Sequence, residues 1–258
     1  MESILFATEN GIATITLNRP EKFNSVTEEI ALGMQQMLKD CAADAAIRCI
    51  IITGTGKAFS AGQDLAEATA EGGKTIEQIV RDHYNPLIKL LREIEKPIIA
   101  AVNGIAAGAG ANIALACDIV VAKESAYFLQ AFSKIGLIPD SGGTFTLPRL
   151  IGLARATALT FLGDKVPAKD AVMMGMIYKA VAEDDFDSEV QKLAAKLANM
   201  PTKGIGLTKR ALNKSLTNDL DHQLAVEEQL QNDASLTYDY QEGVAAFLEK
   251  RKPEFRGE

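Results

Sequence analysis

The sequence predicts an α/β fold, a largely parallel sheet followed by an all-helical C-terminal part, on three observations. Apolar runs of strand length recur at residues 49–53, 98–102 and 118–122. Segments of helical periodicity separate them, the alternation expected of parallel strands joined by crossover helices. Beyond about residue 140 the strand signal nearly vanishes and helical spacing dominates to the end.

Taken in order, residues 4–7 and 12–17 are short apolar stretches separated by Glu9-Asn10-Gly11, and Asn-Gly between strands signals a hairpin. Ile30, Met34, Met37, Leu38 and Cys41 then recur at helical spacing, and residues 49–53 read as a buried strand. A polar, Gly-rich loop over 54–64 and a flexible segment over 68–74 lead into a helix over 75–94, with a strand at 98–102 behind it. The small residues of 103–110 open a helix that runs to 116, and 118–122 is the next buried strand. Helices follow over 141–150, 154–161, 168–174 and 187–200, and within this part 179–182 is the single strand-like stretch. Pro201 breaks the pattern, after which Leu216, Leu220, Leu224 and Leu230 supply apolar contacts. The expected division is a core over 1–185 and a helical region over 186–258.

A chain of 258 residues, 47% of them hydrophobic, can bury a substantial core without disulfides. Its apolar runs fall far short of the ~20 residues needed to cross a bilayer, so no membrane association is expected. Met1-Glu2-Ser3-Ile4 carries neither a basic stretch nor a long apolar one, which predicts a cytoplasmic protein. Cys41, Cys49 and Cys117 are odd in number and lack C-x-x-C spacing, so neither a disulfide framework nor a metal site is expected. The net charge of −7 argues against a nucleic-acid partner, whose phosphates call for clustered Lys and Arg.

Several motifs can be set aside. Gly54-Thr55-Gly56-Lys57 lacks the spacing of a phosphate loop. Only two histidines are present, His83 and His222, and no G-x-S-x-G elbow exists, which excludes the common nucleophilic triads. Residues 104–112 sit between a strand and a helix as a dinucleotide fingerprint would, but Ile113 stands where the third glycine belongs. That segment is either a closely packed small-residue helix or a set of exposed amides suited to an oxyanion. Phe59-Ser60-Ala61-Gly62-Gln63-Asp64-Leu65 falls just past a strand, at the sheet edge where α/β proteins bind ligands. Asp140, within Gly136-Leu137-Ile138-Pro139-Asp140-Ser141-Gly142-Gly143-Thr144, reads two ways. It is a good helix N-cap, or a carboxylate desolvated among Phe132, Leu137 and Ile138 and suited to act as a general base. Burial would raise its pKa and the helix dipole would lower it.

Together these segments resemble the crotonase (enoyl-CoA hydratase/isomerase) family across nearly the whole chain. The matching stretches are Arg19-Pro20-Glu21-Lys22-Phe23-Asn24-Ser25, residues 59–65, Lys96-Pro97-Ile98-Ile99-Ala100-Ala101-Val102-Asn103-Gly104, Cys117-Asp118 and Gly142-Gly143-Thr144. The resemblance implies a spiral of repeated β-β-α units with an all-helical C-terminal subdomain that assembles a homotrimer or a dimer of trimers. It implies an acyl-CoA substrate, with coenzyme A part of that substrate and no separate cofactor.

By the family's pattern the thioester oxygen lies between the backbone N–H groups of Gln63 and Ala109, while Lys22, Phe23 and Asn24 line the adenosine end. Ala61, Asp64 and Leu65 follow the pantetheine arm. The glutamate pair of the family's hydratases falls at Asn112 and Phe132, so both carboxylates are missing here, whereas Asp140 matches members that act through an aspartate. Asn85 and Asn112 are expected to orient the substrate. The aspartate-dependent dehalogenases also use a histidine and a tryptophan, but Asn85 occupies the histidine position and the chain has no Trp. Tyr84-Asn85-Pro86-Leu87, residues 131–140 and Leu147-Pro148-Arg149 resemble the epoxyphenylacetyl-CoA isomerase subgroup.

The expected activity is therefore an acyl-CoA isomerase that shifts a double bond, or rearranges a ring epoxide, through an enolate. Hydration of a 2-enoyl-CoA is the alternative within enzymes, and a noncatalytic CoA-binding or RNA-associated protein is the alternative outside them.

Overall fold

The computed structural model describes residues 2–258. β1 (Ile4–Glu9) and β2 (Ile12–Leu17) form the antiparallel hairpin. Asn10 and Gly11 at its tip have φ of 50° and 76°, as a two-residue turn matched to strand twist requires. α1 (Glu28–Ala43) follows, capped by the Thr27 side chain, and buries Ile30, Met34, Leu38 and Cys41.

A repeating unit then sets in. β3 (Cys49–Gly54) and β4 (Ala58–Ser60) precede α2 (Leu65–Ala68), α3 (Ile76–Ile79) and α4 (Asn85–Glu93). β5 (Ile98–Val102) and β6 (Ile105–Ala107) precede α5 (Ala109–Ala116). β7 (Ile119–Lys123) and β8 (Tyr127–Leu129) precede α6 (Gly143–Ile151) and α7 (Leu153–Leu162). β9 (Lys165–Pro167), α8 (Ala168–Met173) and β10 (Lys179–Val181) close the series. The first strand of each unit enters a six-stranded sheet of order β1-β2-β3-β5-β7-β10, and the second enters a four-stranded sheet of order β4-β6-β8-β9. From β2 to β10 the larger sheet is parallel throughout. The chain thus winds as stacked β-β-α turns.

The smaller sheet departs from what hydrophobic patterning predicts, because residues 54–64 read as a loop and 103–110 as the opening of a helix. Strands of three residues are too short for alternation to register. The helix predicted over 75–94 is also subdivided: α3 and α4 are joined by a π-helical turn, Val80–Tyr84.

β3 and β5 are apolar on both faces because both are covered. One face meets α1, α4 and α5. On the other, α9 (Phe186–Ala198) lays Phe186, Val190 and Ala194 against Ile51, Ile99 and Val121, so the packed core extends past residue 185. The remaining helices are α10 (Thr202–Ser215), α11 (Leu220–Ser235) and α12 (Tyr238–Glu249). α10 is pinned to the core by the buried Lys209, whose ammonium donates to Asp118 at 2.8 Å and to the Leu91 carbonyl at 2.7 Å. No described helix is long and apolar enough to cross a membrane.

Candidate active site

Three loops meet beyond the C-terminal ends of β4, β6 and β8, the end of a parallel sheet where helix starts and turns can face a ligand. After β4 the chain passes through Ala61, Gly62 and Gln63 to Asp64, the N-cap of α2. After β6, Gly108 turns with φ 53° and α5 starts at Ala109. Gly62 has φ 89°, and a Cβ on it would lie 2.9 Å from the Ala107 oxygen and 3.2 Å from the Ala109 nitrogen. Only glycine permits that backbone and that approach.

The Val26 N–H donates to the Gly62 carbonyl at 2.7 Å and the Asp64 N–H donates to the Val26 carbonyl at 2.9 Å, which leaves the Gln63 amide between them free. Ala109, as the first residue of α5, has no acceptor within its helix. Neither N–H donates to any acceptor among the described residues. Two unpaired donors from adjoining loops, one at a helix start, suit a developing oxyanion.

Both amides line a cavity of about 200 Å³, together with Asp140, Tyr84 and Phe132 and the apolar side chains of Ile76, Ile79 and Leu137. Asp140 is the one carboxylate among the described residues that line it. A groove of about 910 Å³ between α10 and α11 is larger, but it shares no residue with these loops.

The N-cap reading of Asp140 is corrected by the structure. Ser141 and Gly142 both take left-handed backbone, φ 51° and 72°, and α6 begins at Gly143 with no side-chain cap. These two residues turn the chain before the helix starts, so the carboxylate receives none of the helix amides. It accepts instead from the Ser141 hydroxyl at 2.9 Å. Burial pushes the Asp140 carboxyl above its ordinary value, against the Ser141 hydroxyl and its own amide, which pull it down.

The other expected site residues divide by location. Ala61, Leu65 and Phe132 line the cavity, and Phe132 is 6% exposed. Lys22 and Phe23 are exposed on a surface turn outside the lining. Asn24 is fully buried and donates to the Thr55 and Ala58 carbonyls at 2.9 and 2.7 Å. Asp64 caps α2 and pairs with Arg19 at 2.8 Å. Burial alone would raise its carboxyl, but Arg19, the α2 amide of Glu67 and the Ser25 hydroxyl together hold it below its usual value. Asn85 is exposed on the first turn of α4 and outside the lining. Asn112 is 1% exposed and also outside the lining, with its amide turned to the Asp140 carbonyl.

Tyr84, which the sequence reading passed over in favour of Asn85, lies 1% exposed in the cavity wall and donates its hydroxyl to Gln63 Oε1 at 2.7 Å. Its partner is 21 residues earlier, so no local pattern marks the pair.

Residues 7–258 match the family described as enoyl-CoA hydratase/isomerase. The chain is 47% identical to the 1,2-epoxyphenylacetyl-CoA isomerase of Escherichia coli (strain K12), over 100% of this chain and 99% of that protein. It is 33% identical to the crotonyl-CoA hydratase of Syntrophomonas wolfei, over 98% of each. Its fold is similar to the crystal structure of an enoyl-CoA hydratase from Bacillus anthracis, with a TM-score of 0.92, 34% identity and 100% of both chains covered. With the match running through every loop that builds the cavity, the chain belongs to the enoyl-CoA hydratase/isomerase family.

Proposed function

We propose that the protein is an acyl-CoA isomerase acting on an unsaturated or ring-derived acyl group. The observation that carries this reading is a single carboxylate, Asp140, in one cavity with two unpaired backbone amides. In a 3-enoyl-CoA the Asp140 carboxylate takes a proton from C2. The electron pair of that C–H bond moves toward the thioester, whose oxygen gathers negative charge between the Gln63 and Ala109 N–H groups. The same carboxyl then returns the proton to C4, and the double bond comes to rest between C2 and C3. One base suffices because it is regenerated within the cycle. Losing one such amide donor typically costs ~3 kcal/mol of transition-state stabilisation.

The reaction calls for no cofactor, since coenzyme A belongs to the substrate. Ala61 and Leu65 would flank the pantetheine arm, and the exposed Lys22 and Phe23 would meet the adenosine end. The exposed Leu212, Leu224 and Phe247 of the C-terminal helices fit assembly into a trimer or a dimer of trimers. Similarity to the 1,2-epoxyphenylacetyl-CoA isomerase of Escherichia coli favours ring rearrangement as the natural task. Hydration is the second reading, prompted by relatives named as hydratases. It is weakened because the resemblance's two glutamate positions hold Asn112, buried and bonded to the Asp140 loop, and the apolar Phe132.

Asp140→Asn is expected to lower turnover of a 3-enoyl-CoA about a thousandfold while CoA binding persists. Near-normal turnover in that variant would sink the mechanism. Assay in oxygen-labelled water separates the two readings, because label in a product hydroxyl marks hydration.

A further inference from the structure

We infer that Tyr84 is a positioning residue, whose hydroxyl holds the Gln63 side-chain oxygen out of the oxyanion site. The π-helical turn Val80–Tyr84 is one wall of the cavity, and the loop bearing Gln63 is another. The 2.7 Å bond from the Tyr84 hydroxyl to Gln63 Oε1 is the one side chain to side chain hydrogen bond joining them among the described lining residues. Gln63 is gripped at its other end by a longer bond, Nε2 to the Asp64 carbonyl at 3.3 Å. Its side chain is thus bound at both tips, whereas its own main-chain N–H has no acceptor.

That contrast matters because an amide oxygen is a good acceptor and the cavity holds two N–H groups in want of one. A substrate thioester oxygen must reach those donors before anything else does. With Tyr84 in place, Gln63 Oε1 is already satisfied. Without the hydroxyl, that oxygen is left without its donor in a partly buried site, and turning toward the unpaired amides relieves the loss. The enzyme's own side chain would then occupy the place of the thioester oxygen. Tyr84 can do this only while protonated, and burial together with the neighbouring Asp140 charge pushes its phenol up. π-helical turns recur at functional sites, and here the turn ends on the tyrosine that bridges to the loop.

The inference rests on the enolate reading above, and its test is separable from that reading. Tyr84→Phe removes one oxygen and is expected to lower kcat/KM about tenfold, the size of one lost hydrogen bond in a buried setting. In the same variant the infrared carbonyl band of a bound, unreactive acyl-CoA thioester should move toward its position in solution. Adding Gln63→Leu removes the competing oxygen while keeping the main-chain N–H. The double variant should therefore exceed Tyr84→Phe in kcat/KM by about threefold or more, with the band shifted back toward that of the parent. A tyrosine that merely stabilises the fold gives no such rescue. Parent-like kcat/KM in Tyr84→Phe, or a double variant no better than the single, overturns the role of Tyr84 alone. Turnover retained in Asp140→Asn overturns the enolate reading instead, and the carbonyl band still decides whether Tyr84 guards the amides.

Discussion

Asn112 donates its side-chain amide to the main-chain carbonyl of Asp140 at 2.9 Å, and its own oxygen accepts from Gln130 Nε2 at 2.8 Å. Asn112 is therefore a clip between α5 and the loop that carries Asp140. Asn112→Asp keeps the shape but replaces the donor facing Asp140 with an acceptor and introduces a carboxylate into a buried site. It should destabilise the fold by about 3 kcal/mol and reduce kcat through the displaced loop. Urea unfolding at neutral pH measures the first effect. A change below about 1 kcal/mol would show that the clip carries little strain.

The raised Asp140 carboxyl gives activity and stability opposite pH dependences. In the proposed mechanism Asp140 acts as the carboxylate, so kcat/KM should fall as pH drops through a value above the ordinary ~3.9 of an aspartate. Stability has the reverse sign. A group whose folded pKa is raised contributes stability that is fully present below its unfolded pKa and is lost as pH rises through the folded one. Ionised Asp140 therefore weakens the fold at neutral pH. Asp140→Asn should raise stability there, with the gain vanishing as pH falls below the ordinary carboxylate range. Melting curves across pH check this, and a variant no more stable than its parent at pH 7 would count against a desolvated carboxylate.

What the sequence discloses follows the range of each interaction. β3 and β5 were legible because each is a run of consecutive apolar residues bounded by polar ones, buried on both faces. The four-stranded sheet left no such trace, since each of its strands has three residues and its pairing joins segments far apart in the chain. Asp140 was legible as a candidate, but its role as a cap was not refutable, because nothing local marks Ser141 as left-handed. The family resemblance offers Asn24, Asp64 and Asn112 as substrate-binding residues. Their side chains are committed to the protein, binding carbonyls, Arg19 and the Asp140 loop respectively. Tyr84 was invisible for the converse reason, as its partner Gln63 is brought to it only by the fold.

Gly62 tests whether the spacing of the loops bearing the Gln63 and Ala109 amides sets the rate. Its φ of 89° is strained for any L side chain, and a Cβ would stand 2.9 Å from the Ala107 oxygen and 3.2 Å from the Ala109 nitrogen. Both contacts are to backbone, so relief requires the loops themselves to separate. The unpaired Gln63 and Ala109 N–H groups, proposed to share one thioester oxygen, would then be drawn apart. A displacement of about 1 Å in such a constellation costs on the order of a hundredfold in rate, so Gly62→Ala should lose about that much in kcat. The loss should exceed anything expected from stability, because the strained turn itself accounts for only about 1–3 kcal/mol and the protein should remain folded at assay temperature. Circular dichroism and steady-state kinetics on the purified variant distinguish the two effects. A folded Gly62→Ala protein with kcat within threefold of the parent would mean that these amides do not act as a pair.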